Sequence, residues 1–353
     1  MIFNLSSFSL CIQIRTFKPQ FNELKNVSNK PIDIVIAWVD GEDPVLKKKR
    51  MKYLQNYQSK GVSGAAPTRF RSLKEIEYCV LSIFRFAPFV RNVFIVTDQQ
   101  DPKVDAVVKN YFPDRLKDIR IVDHQEIFAD FEAFLPTFNS ICISNMIWRI
   151  NGLAEHFVYF NDDIFLTQPI YPTDWFEGDF PVLRGKWVAS PYERLLWDWI
   201  KQKAMPKRYA SLTASFQVNQ WRASAMLGFK GIYFRSGHTP LALKKSTLAH
   251  YFHNHPEILK ENISHRFRHY SQFNTVALAN HLEIQKGNPI RRSPKALYIQ
   301  PHNRKENYVA RKMKLLESDS KYLFVCIQSL DLARESVQKN TFLLLDRLIK
   351  LKS

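Results

Sequence analysis

His156-Phe157-Val158-Tyr159-Phe160-Asn161-Asp162-Asp163-Ile164-Phe165 is a short apolar run that stops at two adjacent carboxylates. Val, Tyr and Phe suit a pleated, packed surface, and a run this short with polar bounds predicts a buried central strand rather than a helix. Successive side chains on a strand face opposite ways. Asp162 and Asp163 therefore serve one metal or phosphate site only if the chain is already turning there, which Asn161 favours. Read alone, the pair fits solvated carboxylates capping a strand equally well.

The same event recurs along the chain. Ile32 to Val39 runs into Asp40 and Gly41, Val93 to Thr97 into Asp98, and Ile119 to Val122 into Asp123. Helical patterns separate the later strands. Strand alternating with helix predicts a mainly parallel sheet with helices on both faces, and such sheets bind ligands outside the carboxyl ends of their strands. Acidic groups gathered on that edge point to a divalent cation carrying phosphates.

A chain of 353 residues with 45% hydrophobic content builds a substantial core. Its 51 Lys and Arg against 33 Asp and Glu leave a net charge of +18, which favours a polyanionic partner: nucleic acid, an anionic membrane face or a phosphorylated substrate. The basic clusters (Lys47 to Arg50, Lys207 and Arg208, Arg291 and Arg292, Arg304 to Lys314) are dispersed, with no recognition helix or Gly/Arg tract, so nucleic acid is not expected. Each cluster taken singly reads as a solvated face. Cys11, Cys79, Cys142 and Cys326 lie far apart without Cys-x-x-Cys spacing, which speaks against a zinc site or a disulfide framework and fits a cytoplasmic location. Met1 to Ile14 is a poor signal peptide, and no apolar run is long enough to span a bilayer. Membrane association, where it occurs, is expected to be peripheral, through basic surface at the inner face of a bacterial membrane.

Residues 1–30 read as a lead-in, 31–331 as the main domain and 332–353 as a C-terminal helix. A helix is predicted from Asp43-Pro44 to about Tyr57, then a flexible loop over 59–68. Ser72 and Glu75 predict a capping box for a helix to Ala87, and Ser140 a helix to about Ala154. Residues 176–230 break the alternation and suggest an inserted subdomain whose Trp187, Trp197, Trp199 and Trp221 are expected in a packed interior more than on a sugar-stacking surface. The histidines clustered after Gly231 match no usual zinc spacing. His265-Arg266-Phe267-Arg268-His269-Tyr270 is a basic stretch ahead of a helix expected to be capped by Ser271 and ended by Gly287, a setting suited to phosphate. Tyr322 to Asp331 reads as a last strand with a polar end, followed by a helix from about Ser336 to Leu351.

Four blocks in order resemble the stealth family, which includes bacterial capsular polysaccharide phosphotransferases and the animal N-acetylglucosamine-1-phosphotransferase. They are Ile32 to Gly41; Arg69 through Thr97, Leu135 to Ser140 and Tyr159 to Asp163; His238-Thr239-Pro240 with Arg266-Phe267-Arg268; and Val325 to Asp331. The resemblance implies an α/β fold, Rossmann-like or GT-A-like, with a mainly parallel sheet flanked by helices and an inserted Trp-rich subdomain. It implies transfer of a hexose 1-phosphate, such as N-acetylhexosamine 1-phosphate, from a UDP-sugar donor to a growing capsular or exopolysaccharide glycan, with release of UMP. By position, Trp38, Asp40 and Arg69 fall in the donor region, and Asp162, Asp163, His238 and Arg268 in the catalytic positions. Mg²⁺ or Mn²⁺ would be held by Asp163 with help from Asp162 or Asp331, and His238 is the preferred general base with Asp162 as runner-up. The chain departs from the family at Leu241, Gln272 and Gln328-Ser329. A metal-dependent glycosyltransferase releasing UDP and a non-catalytic polyanion-binding protein are the rival readings.

Overall fold

The computed structural model describes residues 30–54, 73–205, 215–302 and 306–350. Most of the lead-in, the end of the helix predicted to reach Tyr57, the loop at 59–68, Ser72 and Arg69 lie outside these residues. The first half of the chain runs β1 (Ile32–Ala37), α1 (Pro44–Leu54), α2 (Glu75–Phe86), β2 (Val93–Thr97), α3 (Asp105–Tyr111), β3 (Ile119–Asp123), α4 (His124–Ile127), α5 (Ser140–Met146), β4 (His156–Asn161) and β5 (Ile164–Leu166). There follow β6 (Phe176–Glu177), β7 (Phe180–Pro181), β8 (Leu183–Ala189), α6 (Tyr192–Ala204), α7 (Phe216–Met226), β9 (Ile232–Ser236), β10 (Leu241–Lys244), α8 (Lys245–Asn254) and α9 (Pro256–Ile263). The chain closes with α10 (Thr275–Gln285), β11 (Arg291–Arg292), β12 (Ala296–Ile299), α11 (Glu306–Ser318), β13 (Phe324–Ile327) and α12 (Glu335–Ile349).

The central sheet has the order β10-β4-β1-β2-β3. Its β4, β1, β2 and β3 are parallel, as the repeated strand endings predict, and β10 adds an antiparallel edge. Alternation splits the strand residues between two cores. Ile32, Ile34 and Ile36 of β1, Val93 and Ile95 of β2, and Val158 and Phe160 of β4 pack with α2, α11 and α12. Val35, Phe94, Val96, Phe157 and Tyr159 face the other way, against α5, α8, α9 and α10. The exception is Asp33, fully buried in β1, whose carboxylate accepts from Arg91 Nε at 2.9 Å and Nη2 at 2.6 Å, Asn92 N at 3.2 Å and Ala154 N at 2.7 Å. One side chain thus ties together the entries to β1, β2 and β4.

At Asp162 and Asp163 the chain turns out of the central sheet into β5, which pairs antiparallel with β13 in a second sheet, β12-β13-β5. Ile327 N donates to Asp163 O at 2.9 Å, so the acidic turn is stitched to the end of β13. That junction is what carries the polar end of the last strand to the end of β4.

Several local expectations fail for identifiable reasons. Helix α2 begins at Glu75 behind Lys74, which is left-handed (φ 76°), and the Glu75 carboxylate accepts from Leu73 N, while Ser72, the other half of the predicted capping box, lies outside the described residues. The helix from Ser140 ends at Met146 and tightens into a 3₁₀ turn. There Asn145 Nδ2 donates to Ile141 O and Trp148 Nε1 to Asn145 O, side-chain bonds that compete with the helical ladder. Helix α10 is capped by Asn274, which accepts from Ala277 N at 2.9 Å, rather than by Ser271, whose hydroxyl bonds His269. The expectation of packed tryptophans is corrected most: Trp197, Trp199 and Trp187 are 61%, 52% and 40% exposed, and only Trp221 of the four is partly buried. None of residues 192–200 is buried, because among the described residues no second layer covers α6.

Candidate active site

The carboxyl ends of β1, β2 and β4 open into a cavity of about 430 Å³. Trp38, Asp162, Asp163, Arg268 and Asp331 all line it. The fold therefore gathers residues from all four sequence blocks at one place. Trp38 is 7% exposed and continues the β1 ladder through a bond from its N–H to Val96 O at 3.0 Å. Asp331 is 8% exposed and arrives on the 3₁₀ turn after β13.

The carboxylates at the β4 end share a poorly solvated space. Burial first, then the neighbouring charges of Asp163 and Glu75, hold the Asp162 carboxyl well above the ordinary carboxylate range. Asp163 is pushed up to about 6, chiefly by burial, with the Cys326 thiol 3.6 Å from its Oδ2 acting in the opposite direction. Asp163 Oδ1 is buried and, among the described residues, meets no protein donor. Glu75, 7% exposed at the start of α2, is raised in turn by burial and by the charge of Asp331. Carboxylates that raise one another in this way are oxygen donors of the kind a hard divalent ion takes. Among the described residues no three His, Cys, Asp or Glu side chains form a ready metal cage. Mg²⁺ is commonly held by one or two carboxylates plus substrate phosphates.

Opposite the acids, Arg268 reaches the cavity from the segment after α9, and its Nη2 donates to Ser140 Oγ at 2.6 Å. Backbone and side-chain bonds fix that segment: Phe138 N donates to Arg266 O at 2.8 Å, and Asn139 Nδ2 to His265 O and to Gln272 Oε1, both at 2.9 Å.

The remaining predicted residues are placed elsewhere. His238 does not line the cavity; its ring stacks between those of Phe216 and Tyr298, each centroid 5.0 Å away. Burial lowers its pKa, so at neutral pH it is an uncharged ring in an aromatic stack. Tyr298 in turn donates to Gln328 Oε1, and Gln328 is in the cavity wall. Asp40 also stays out of the lining: its Oδ1 accepts from Glu42 N at 3.0 Å, and its backbone exchanges bonds with the Gln100 side chain. Asp123 caps α4 through Gln125 N. Of the strand-end acids, then, Asp98 and Asp162 face the cavity, while Asp40 and Asp123 hold loops.

Sequence reading named Asp98 among the acids of this edge but missed Glu75 and His124 as parts of this wall. Asp98 pairs with Lys49 at 3.0 Å. His124 is 3% exposed and lowered to about 4 by burial, which fixes it as the neutral ring. Glu75 carried a signal, an acidic residue opening an apolar helix, but that signal also reads as a cap.

Two conserved-region models match the chain: Stealth protein CR1, conserved region 1, over residues 30–58, and Stealth protein CR2, conserved region 2, over residues 69–182. A capsular polysaccharide phosphotransferase of Streptococcus pneumoniae is 30% identical over 286 residues, covering 72% of this chain and 79% of that protein. An exopolysaccharide phosphotransferase of Streptomyces coelicolor is 34% identical over 242 residues, covering 67% of this chain and 40% of that protein. The chain therefore spans well under half the length of this second relative. Among solved structures, the galactosyltransferase LgtC with donor and acceptor sugar analogues aligns over 88% of this chain and 95% of its own at 13% identity, with a TM-score of 0.41. The match to both conserved regions, together with the extended similarity to the pneumococcal protein, shows that this chain belongs to the stealth family.

Proposed function

We propose that this cavity transfers a hexose 1-phosphate from a UDP-sugar to a hydroxyl of a growing capsular or exopolysaccharide glycan, forming a phosphodiester and releasing UMP. N-acetylhexosamine 1-phosphate is the first group to try. The observation that carries the reading is a set of mutually destabilised carboxylates lining one cavity with Arg268, with Asp163 Oδ1 buried and, among the described residues, meeting no protein donor. Bare carboxylates would repel a diphosphate donor. Asp163, with Asp162 or Asp331, would hold Mg²⁺ or Mn²⁺, which when bound neutralises charge on the donor phosphates. Arg268 grips non-bridging oxygens of the transferring phosphate through its planar fork. Asp162, with its raised affinity for protons, accepts the proton of the attacking hydroxyl; the new bond joins that oxygen to the sugar-bearing phosphorus as the bond to the UMP oxygen breaks. The relatives named as polysaccharide phosphotransferases support the same chemistry. Attachment to the membrane or capsule machinery, as proposed, is peripheral; among the described residues no helix is long and apolar enough to cross a membrane.

Identifying the nucleotide released from UDP-N-acetylhexosamine tests the reading: UMP supports it, UDP supports a glycosyltransferase, and no nucleotide supports a binding protein. Two substitutions test the parts. Arg268→Lys keeps the charge but loses the paired donors, and is expected to lower turnover by about 10-fold or more; a Lys variant as active as the parent would reduce Arg268 to general electrostatics. His238→Phe preserves the aromatic stack and removes the ring nitrogens. Its turnover is expected to stay within about 10-fold of the parent, because a general base is worth roughly 10²-fold or more. A larger loss, with one limb of the pH–rate profile gone, would return the base to His238.

A further inference from the structure

A second cavity, of about 350 Å³, plays no part in the chemistry above. Trp221, Arg222 and Met226 of α7 form one wall, and Ile258 and Glu261 of α9 another. His265, Ser271 and Phe273, from the segment that carries Arg268, complete it. That one segment therefore lines both cavities: Arg268 faces the carboxylates, and His265 and Ser271 face the second space.

The polar groups in this wall are matched to a negatively charged oxygen ligand. Trp221 Nε1 and Arg222 Nε are buried, and among the described residues neither meets an acceptor. Leaving such donors unmatched is costly, and a bound acceptor would recover that cost. Both side chains are held in place: Tyr192 packs edge-on to the Trp221 indole at 5.9 Å, and the Arg222 guanidinium lies 5.6 Å from the centre of the Tyr270 ring. His265 and His269 stack at 4.4 Å, and the Ser271 hydroxyl joins them, 2.7 Å from His269 Nδ1 and 3.3 Å from His265 Nε2. Glu261 is the one acid in the lining, and it is exposed at the edge. Of the rest of the wall, Ala225, Met226, Ile258 and Phe273 are apolar, and the Asn262 amide is spent on the Phe273 backbone. Flat apolar walls beside a fixed guanidinium and an indole donor suit a sugar ring carrying an oxyanion.

We propose that this second cavity binds a phosphodiester of the acceptor glycan, an inference that rests on the phosphotransfer reading for its place in the reaction. The chemistry names the ligand. A glycan extended by hexose 1-phosphate carries, one unit back from its free end, the phosphodiester laid down in the previous cycle. Arg222 and Trp221 hold that phosphate, the apolar wall takes the adjoining sugar, and the shared segment sets the free hydroxyl relative to Arg268.

The test is a titration of the whole chain followed through its seven tryptophan indole N–H resonances, with Trp221 assigned from a Trp221→Phe variant. The probes are a phosphodiester-linked dihexose and its neutral, glycosidically linked counterpart. The Trp221 resonance is expected to move with the phosphodiester and to stay put with the neutral sugar. Arg222→Gln is expected to weaken phosphodiester binding by about 10-fold or more while leaving the affinity for UDP-N-acetylhexosamine unchanged. An unmoved Trp221 signal in the parent protein overturns the proposal, as does an equal response to both probes, whether or not the variant folds. Because this readout needs no turnover, it separates from the parent reading: release of UDP with a responsive Trp221 sinks the phosphotransfer and leaves the subsite, whereas release of UMP with a silent Trp221 sinks the subsite alone.

Discussion

Asp163→Asn is expected to lose about 10²-fold or more of turnover and, in chelator at neutral pH, to be more stable to heat than the parent. The activity loss follows from the proposed cation, whose stabilisation of developing phosphate charge is worth several kcal/mol. The stability gain follows from linkage. The Asp163 carboxyl titrates at about 6 in the folded chain, mainly because it is buried, against about 3.9 for an exposed Asp. Its proton therefore stabilises the fold fully below about pH 4, and that contribution is lost as the pH rises through 6. At pH 7.5 without a cation the ionised group works against folding. Part of Asp163 faces the open cavity, so the cost is screened and on the order of 1–2 kcal/mol. Asn removes it, an instance of a site built for function at the expense of stability. Thermal melts of parent and variant with and without Mg²⁺ check this: the parent should gain from the ion and the variant should not. Equal melting of the two proteins in chelator, or undiminished turnover in the variant, would remove Asp163 from the metal site.

Asp33→Ala is expected to cost about 3–5 kcal/mol of stability, read as a fall of roughly 1 M or more in the urea midpoint. The carboxylate is fully buried and accepts four bonds, from Arg91 twice and from the N–H groups of Asn92 and Ala154. Alanine leaves buried donors unmatched at the base of three parallel strands. The loss should reach the active site as well, since Ala154 leads into β4, which ends at the acidic turn. Asp33→Asn, with one acceptor kept, should fall between. A midpoint unchanged in the alanine variant would mean the three strand entries are held by packing alone.

The frame of the protein was legible in the sequence. The four apolar runs ending in acids became four parallel strands, and their period-two alternation sorted into two cores. Asp162 and Asp163 do sit in a turn, as one shared site requires. What could not be read was which strand-end acid would be consumed locally. Asp40 and Asp123 turn to neighbouring N–H groups, a use that depends on loop paths outside the strand pattern. Glu75 and His124 reach the cavity only because α2 and α4 start at the same edge. The exposed Trp197 and Trp199 show the limit of residue preference as a guide, for burial belongs to the layer that covers a helix and not to the helix alone. His238 sits in an aromatic stack that no spacing announced, since Phe216 and Tyr298 lie far from it in sequence.

The central claim, that attack falls on phosphorus and not on the anomeric carbon, is tested most directly by a UDP-sugar labelled at its β-phosphate. The account predicts label in the glycan product, UMP as the released nucleotide, and retained anomeric configuration, because the sugar's C1–O bond is never cut. Label found in released UDP, with none in the glycan, would contradict it.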